Sequence, residues 1–311
     1  MITMKNTVEK KAKIRFAKPR LLILGCGDVG MRLLPLLREQ FRVFAVTSQA
    51  SRQAELRAAG AVPITADLDQ AHTLRRLAGL ASHVVHLAPP RTDGRYDQRT
   101  RNLTAILPDK SVLVYVSTTG VYGDCGGAVF DETRPLHPQN ARAQRRVDAE
   151  SHLRQWARRS QSRLSILRVP GIYAADRLPL ERLAKGTPAL LEADDVYTNH
   201  IHADDLAHLI RLTLFRGCVN RVYHTVDDSD IKMAAYFDLV ADAFDLARPP
   251  RLPRNELAQQ VSPMLLTFMS ESRRLLNHRM KLELGARLIY STVQSGVSAA
   301  KNQLLAKGKS R

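Results

Sequence analysis

Leu21-Leu22-Ile23-Leu24-Gly25-Cys26-Gly27-Asp28-Val29-Gly30-Met31 is the stretch that decides the fold. Residues 21–24 are large and aliphatic, as in a strand buried on both faces, and they run straight into a Gly-x-Gly-x-x-Gly loop. Leu33, Leu34, Leu36 and Leu37 follow, so residues 31–39 are predicted to form a helix packed on the sheet, with Pro35 one turn in. In a strand–loop–helix unit each glycine has its own task. Gly25 makes the tight turn, Gly27 lets backbone approach a pyrophosphate, and Gly30 lets helix and strand pack closely. Asp28 and Val29 lie where the helix start offers N–H groups and a positive dipole end to an anion. A glycine-rich turn without a ligand is the competing reading, which the strand–loop–helix setting disfavours.

The same alternation continues outward. Apolar runs at 43–46, 61–66, 82–88, 111–117, 164–169 and 222–226 read as strands, and residues 50–59, 72–80, 100–107, 139–159 and 204–215 read as helices. Strands spaced by such helices imply right-handed crossovers and a doubly wound parallel α/β Rossmann sheet of about seven strands. Regularity weakens at 169–202 and 227–297, the second being mostly helical with a joint at Pro249, Pro250 and Pro253. These insertions are expected to form a small substrate lobe over the carboxyl ends of the strands, where open α/β sheets bind ligands. The expected organisation is a basic N-terminal extension (1–20), a Rossmann domain (21–168 and 203–226), the lobe (169–202 and 227–297) and a basic tail (298–311).

The second strand ends Val46-Thr47-Ser48, without the acid that holds an NAD ribose. The hydroxyl pair Thr47-Ser48 with Arg52, or Arg32 beyond the loop, offers a place for a 2′-phosphate, which favours NADP over NAD; solvated helix arginines are the plainer alternative. Asp67-Leu68 after the third strand meets the adenine edge or caps the next helix. Leu87-Ala88 and Pro170, at the ends of the fourth and sixth strands, complete the candidate cofactor set.

The 311 residues carry 47 Lys+Arg against 30 Asp+Glu, a net charge of +17. The excess is local: +6 in residues 1–20, +5 in 138–163 and +7 in 271–311, with −1 for the remainder. Aromatic residues make up 5%, and no stacking platform or zinc spacing accompanies the charge, which argues against a specific nucleic-acid function. Cys26, Cys125 and Cys218 are widely spaced and suit a reducing, cytoplasmic compartment, although acid-poor residues 1–20 leave an organellar presequence open. No apolar run approaches the ~18 residues of a membrane helix.

Four further landmarks follow in order: Ser117-Thr118-Thr119-Gly120-Val121-Tyr122-Gly123, Arg168-Val169-Pro170-Gly171-Ile172-Tyr173, residues 197–206 from Tyr197 to Leu206, and residues 271–279 from Glu271 to Arg279. With the glycine loop these resemble the extended short-chain dehydrogenase/reductases, including the NAD-dependent epimerases and dehydratases, and within them the atypical, YeeZ-like branch, over residues 20–297. The resemblance implies an NAD(P)-dependent oxidoreductase or epimerase. It implies a small-molecule substrate, a nucleotide-sugar or another phosphorylated compound. It also implies a homodimer through helices near 98–107 and 139–159.

The resemblance further implies a catalytic hydroxyl, here at Thr118, and a Tyr acid/base with a Lys four residues on. Counting back from Glu150 puts Arg142 at the Tyr position and Arg146 at the Lys position. No lysine lies between Ser111 and Ala184, where the tyrosines are Tyr115, Tyr122 and Tyr173. Arginine stays protonated and has no acceptor lone pair, so Arg146 can stand in as a ribose or phosphate donor but Arg142 cannot exchange a proton. Two readings follow: an enzyme with an altered active site, or a non-catalytic NADP(H)-binding sensor.

On the substrate side, Tyr122 and Tyr173 are either phenols approaching from another direction or ordinary core tyrosines. Asn199 organises backbone or substrate, and Arg274, with Arg273 and Arg279, recognises phosphate or forms a salt-bridged surface. His200 and His202 lack a third ligand, so no metal is expected. Asp204 and Asp205 read as an N-cap, His83 and His86 as core, and Cys26 as a small filler.

Overall fold

Side-chain alternation explains the layering. The computed structural model describes residues 17–309; residues 1–16, most of the expected basic extension, and residues 310–311 lie outside it. In β1 (Arg20–Leu24), Leu21 and Ile23 face one side of the sheet and Leu22 and Leu24 the other, all fully buried. The sheet adds β2 (Arg42–Thr47), β3 (Val62–Thr65), β4 (His83–His86), β5 (Val112–Thr118), β6 (Arg163–Val169) and β7 (Arg221–His224). All neighbours are parallel, in the order β7-β6-β5-β4-β1-β2-β3. The chain therefore winds outward in both directions from β1, and a switch point opens at the carboxyl ends of β1 and β4.

One face is covered by α1 (Asp28–Leu37), α2 (Gln53–Ala58) and, later in the chain, residues 203–216; the other by α3 (Gln98–Thr104) and α4 (Ala141–Arg159). We label Ala203–Arg216 α5. Helix α1 begins at Asp28, earlier than its apolar pattern suggests, so Pro35 sits towards its end. The expected helix at 50–59 is a 3-10 turn (Ala50–Arg52) followed by α2. The one at 72–80 is 3-10 throughout (Ala71–Leu77): the Thr73 hydroxyl donates to Asp67 O and Gln70 O, a local bond that competes with a regular helix. His202, not Asp204 or Asp205, caps α5, its ring accepting from Asp204 N–H.

The lobe has its own core, built from Tyr173, Leu183 and Ala189 with α6 (Met233–Ala243) and α7 (Val293–Lys309). Helix α7 runs through the boundary expected at 297, and Val297 and Ala300 within it are buried, so the segment expected as a basic tail begins inside this helix. Short strand pairs tie lobe to sheet domain. Gly171–Tyr173 pairs with His200–His202, Tyr197–Thr198 with Ile231–Lys232, and Val129–Phe130 with Arg274–Leu275. The last pair draws residues 271–273 against the loop after β5, where Cys125 N–H and Gly127 N–H both donate to Ser272 O.

Candidate functional site

The three loop glycines are required for different reasons. Gly25 has φ +77°, and a Cβ there would lie 2.6 Å from Ala88 N. A Cβ on Gly30 would lie 2.8 Å from Cys26 Sγ. The protein's own packing demands both. Gly27 is exposed, its φ of −83° suits any residue, and a Cβ would meet nothing nearer than Gly25 O at 4.0 Å. Gly27 is the N-cap of α1 without a side-chain cap, and Met31 N–H to Gly27 O opens the intrahelical ladder, so the earlier amides precede any helical bond. Nothing inside the protein excludes a side chain at 27; an anion seated on the helix start would.

A cavity of about 300 Å³ lies beside this loop. Gly25, Gly27, Thr47, Ser48, Arg52, Asp67, Leu68 and Ala88 line it, joined by Gln49, Pro89 and Arg99, which the motif reading passed over. Val29 and Leu87 lie behind the loop, packed on the core, and Pro170 lines a different cavity. Arg52 Nη1 donates to Cys26 O (2.7 Å) while its Nε and Nη2 hold Glu55, which fixes the guanidinium near the loop. Arg32, the other candidate, is shared among Asp28, Asp176 and Asp204. Asp28 also holds Arg177 (3.1 Å), which straps the lobe segment after Tyr173 to the start of α1. Burial pushes the Cys26 thiol up to about 11, as befits a filler.

The second cavity, about 340 Å³, stands over the carboxyl ends of β5 and β6. Thr118 and Thr119 end β5, Pro170 to Tyr173 follow β6, Arg142 comes from the first turn of α4, and the lobe supplies Asn199, His200, Tyr236, Phe237, Glu271 and Arg273. Thr118 Oγ1 accepts from Gly120 N–H (3.2 Å), which leaves its own proton available to donate. Asn199 is a backbone organiser: Nδ2 donates to Arg273 O (2.9 Å) and Oδ1 accepts from Leu275 N–H (3.0 Å). Glu271 is buried; its carboxylate accepts from Arg273 Nη1 (2.6 Å) and from Nδ2 of Asn140 (3.3 Å), the N-cap of α4. The C-terminal segment is thereby fastened to the helix start that presents Arg142. Partial burial pulls the Arg142 pKa below the ordinary arginine value; Glu271 opposes this and Arg146 adds to it.

Three expected residues stand elsewhere. Arg146 Nη1 donates to Tyr115 OH and Val116 O, both at 2.9 Å, and so is bonded to the carboxyl end of β5. Tyr122 is 1% exposed, and its hydroxyl sits between Arg168 Nη1 (2.5 Å) and His224 Nε2 (2.6 Å). It belongs to a buried chain in which Glu150 accepts from Ser117 (2.6 Å) and from both ends of the Arg168 fork. Burial pushes the Tyr122 phenol up to about 12. Arg274 pairs with Asp230 and lies over the Tyr197 ring, outside the cavity beside β5. Tyr173 does line that cavity, but its hydroxyl donates to Thr292 O (3.2 Å), and burial raises its pKa.

His200, Tyr236 and Glu271 also line this cavity, where motif spacing had not placed them, whereas Arg273 belongs to the basic cluster read as a candidate phosphate site. His200 stacks on Tyr236, with ring centroids 4.3 Å apart. Burial lowers its pKa to about 4, and its Nδ1 has no hydrogen-bond partner among the described residues, so the ring is neutral near pH 7. Among the described residues no group of three or more His, Cys, Asp or Glu is arranged to hold a metal, and no helix is long and apolar enough to cross a membrane.

A parallel sheet that reverses direction at a glycine loop, with a lobe over its carboxyl ends, defines a nicotinamide dinucleotide-binding α/β protein of the extended type. The NAD dependent epimerase/dehydratase family model matches residues 21–223, and the chain belongs to that family. Among solved structures it is similar to a functionally unknown conserved protein from Silicibacter pomeroyi (28% identity, TM-score 0.77, 92% of this chain and 99% of that one). It shares its fold with a UDP-glucose 4-epimerase from Thermotoga maritima solved with UDP-glucose (18%, 0.75, 93% and 99%). The fold is also that of a dTDP-glucose 4,6-dehydratase from Bacillus anthracis in complex with NAD (15%, 0.74, 94% and 98%). No curated protein matches the sequence.

Proposed function

We propose that the chain is an NADP-preferring oxidoreductase or epimerase of this family acting on a small molecule, a nucleotide-sugar or another phosphorylated compound. The carrying observation is Gly27, an exposed N-cap whose missing side chain serves no contact within the protein and adjoins a cavity at the switch point. In this reading the backbone from Gly25 to Gly30, with Asp28 and Val29 in the first turn, receives the pyrophosphate. Thr47, Ser48 and Arg52 take the 2′-phosphate, Asp67 and Leu68 the adenine edge, and Ala88 forms the strand-end wall, with Leu87 backing the loop and Pro170 facing the second cavity. When bound, the dinucleotide supplies hydride transfer. Thr118 donates its hydroxyl proton to a substrate oxygen and orients it. Arg142 and Arg146 remain protonated, so they bind and orient but take no proton. A homodimer through α3 and α4 and a cytoplasmic location belong to the same reading.

A second reading, a non-catalytic NADP(H) sensor, is favoured by one observation. Helix α4 carries no tyrosine, and the hydroxyls of Tyr122 and Tyr173 are engaged away from the cavity. NADPH deuterated at its transferable position separates the two. Stereospecific loss of label to any member of a carbonyl panel supports the enzyme. Tight NADPH binding without label loss supports the sensor, and failure to bind either dinucleotide refutes both.

A further inference from the structure

The edge of the sheet away from both cavities is basic. All seven strands are parallel, so their first residues share that edge. In spatial order Arg163 opens β6, Lys110 precedes β5, His83 opens β4, Arg20 opens β1 and Arg42 opens β2. Arg20 and Arg42 are register partners, and Lys110 N–H donates to Ser160 O beside the start of β6. Four strand steps of about 4.8 Å make this row about 19 Å long. At its β1–β2 end a groove of about 460 Å³ is lined by Lys18, Arg20 and Arg42 and by no carboxylate.

Two of these cations serve the fold. Lys18 Nζ donates to Arg38 O at the end of α1 (2.8 Å), and Arg163 donates to Leu214 O, Phe215 O and Gly217 O at the end of α5. Cations are favoured at helix carboxyl ends, so both positions are explained. Arg20, Arg42 and Lys110 have no such duty: all three are exposed, and among the described residues their side chains make neither an ion pair nor a hydrogen bond. An aromatic pair stands beside the row. Phe41, just before β2, packs on His83 and on Phe215, with centroids 5.1 and 5.6 Å apart. Phe41 is buried, whereas Phe215 is 47% exposed and the Arg211 guanidinium lies 5.8 Å from its centroid. The rings come from distant parts of the chain, so composition and spacing do not reveal them as neighbours.

Cations in a line beside an exposed ring fit a chain of phosphates that carries unpaired bases. We propose that this edge binds single-stranded nucleic acid without sequence preference. Phosphates lie along Lys110, Arg20 and Arg42, and a base stacks on Phe215 beside Arg211. The row accommodates about four nucleotides, the short end of single-strand sites. A duplex keeps its bases stacked inside and offers Phe215 none. The edge lies at the opposite end of the strands from the glycine loop, so the proposal does not rest on the cofactor reading.

Fluorescence anisotropy of a labelled twelve-nucleotide oligo(dT) with the full chain, from 50 to 200 mM salt, tests this. Binding is expected to weaken as salt rises. Arg20→Gln combined with Arg42→Gln should weaken it about tenfold and make the log–log salt slope shallower by about 1.4, the release of two phosphate contacts. Phe215→Ala should weaken it at least fivefold and leave the slope unchanged. A blunt duplex of the same length should bind more weakly than the single strand. The proposal is overturned if the oligonucleotide does not bind, or if the arginine pair leaves affinity within twofold of the parent, which assigns the contact to residues 1–16 or another surface. It is also overturned if Phe215→Ala has no effect, if duplex or phosphatidylserine vesicles bind as tightly, or if NADPH displaces the oligonucleotide. The two arginines are exposed, so their test holds even if Phe215→Ala folds poorly.

Discussion

Replacing Gly27 with Asp separates folding from ligand binding, because the two effects have opposite signs. A Cβ at 27 has 4.0 Å of clearance, and φ −83° is open to Asp, so the fold has no steric objection. As N-cap of α1, Asp gains a few tenths of a kcal/mol over Gly, and its charge at the dipole's positive end adds about 0.3–1 kcal/mol. Repulsion from Asp28 offsets part of this, but Asp28 is already neutralised by Arg32 and Arg177. The melting temperature is therefore expected to stay level or rise slightly. A pyrophosphate on the same helix start meets a carboxylate about 4 Å away, costing about 1 kcal/mol per charge in bulk water and about 4 at a protein surface. Two phosphate charges at the lower figure already weaken binding about thirtyfold. Fluorescence titration of NADPH and a thermal melt on the same sample measure both sides. Affinity within threefold of the parent, or a loss that only tracks a falling melting temperature, refutes the assignment of the loop. Gly25→Ala is the contrasting control: at φ +77° and 2.6 Å from Ala88 N it should lower stability by about 1–3 kcal/mol, whatever ligand is present.

Glu150→Gln removes the charge opposite Arg168, both side chains being under 5% exposed, and should cost about 3–5 kcal/mol in urea unfolding. Glu150→Leu combined with Arg168→Met should recover most of that loss; a double variant worse than the single one would refute the ion-pair account. Arg52→Gln should weaken NADPH about tenfold, the worth of one hydrogen bond to a charged group, and leave NADH unchanged; an unaltered NADPH/NADH ratio would count against the 2′-phosphate role. Burial lowers His86 and His224 to about 3 and His200 to about 4, so below the ordinary value of 6.5 the unfolded chain takes up three protons that the folded chain refuses. Asp227, raised by burial to about 7, works the other way, being protonated when folded and ionised when unfolded above 3.8. Between about pH 4.5 and 5.5 the balance is two protons in favour of the unfolded chain, so these groups remove about 2.7 kcal/mol of stability per unit of acidification. Urea midpoints that stay flat or rise across that window would refute the balance.

Local chemistry and long-range chemistry were unequally legible in the sequence. The tasks of Gly25 and Gly30 could be read from the motif because one is a turn at φ +77° and the other a close approach to Cys26, both within a single strand–loop–helix unit. The parallel sheet was legible for the same reason: both-sided burial writes continuous apolar runs. Even there, Thr73 turned an expected helix into a 3-10 segment through bonds that periodicity does not register.

The cavity over β5 and β6, by contrast, is assembled from segments far apart in the chain and joined by strand pairs only two or three residues long. Nothing local marks Glu271 as the partner of Asn140, 131 positions away, or Arg273 as a donor to Gly123, 150 positions away. The basic cluster at 273–279 was visible, but not which member turns inward. Arg273 lines the cavity while Arg274, one residue on in the short strand, turns to Asp230 and Tyr197, as alternation along a strand requires. The same logic separates the two arginines of α4. Arg142 and Arg146 share a helix face, but Tyr115 and Val116 near the carboxyl end of β5 capture the second, so only the first reaches the cavity. A family position is therefore not a role. Arg146, at the position the resemblance gives to a ribose-binding lysine, has its Nη1 bonded to the sheet, and Arg142, at the position it gives to the tyrosine, is a cation with no lone pair to take a proton.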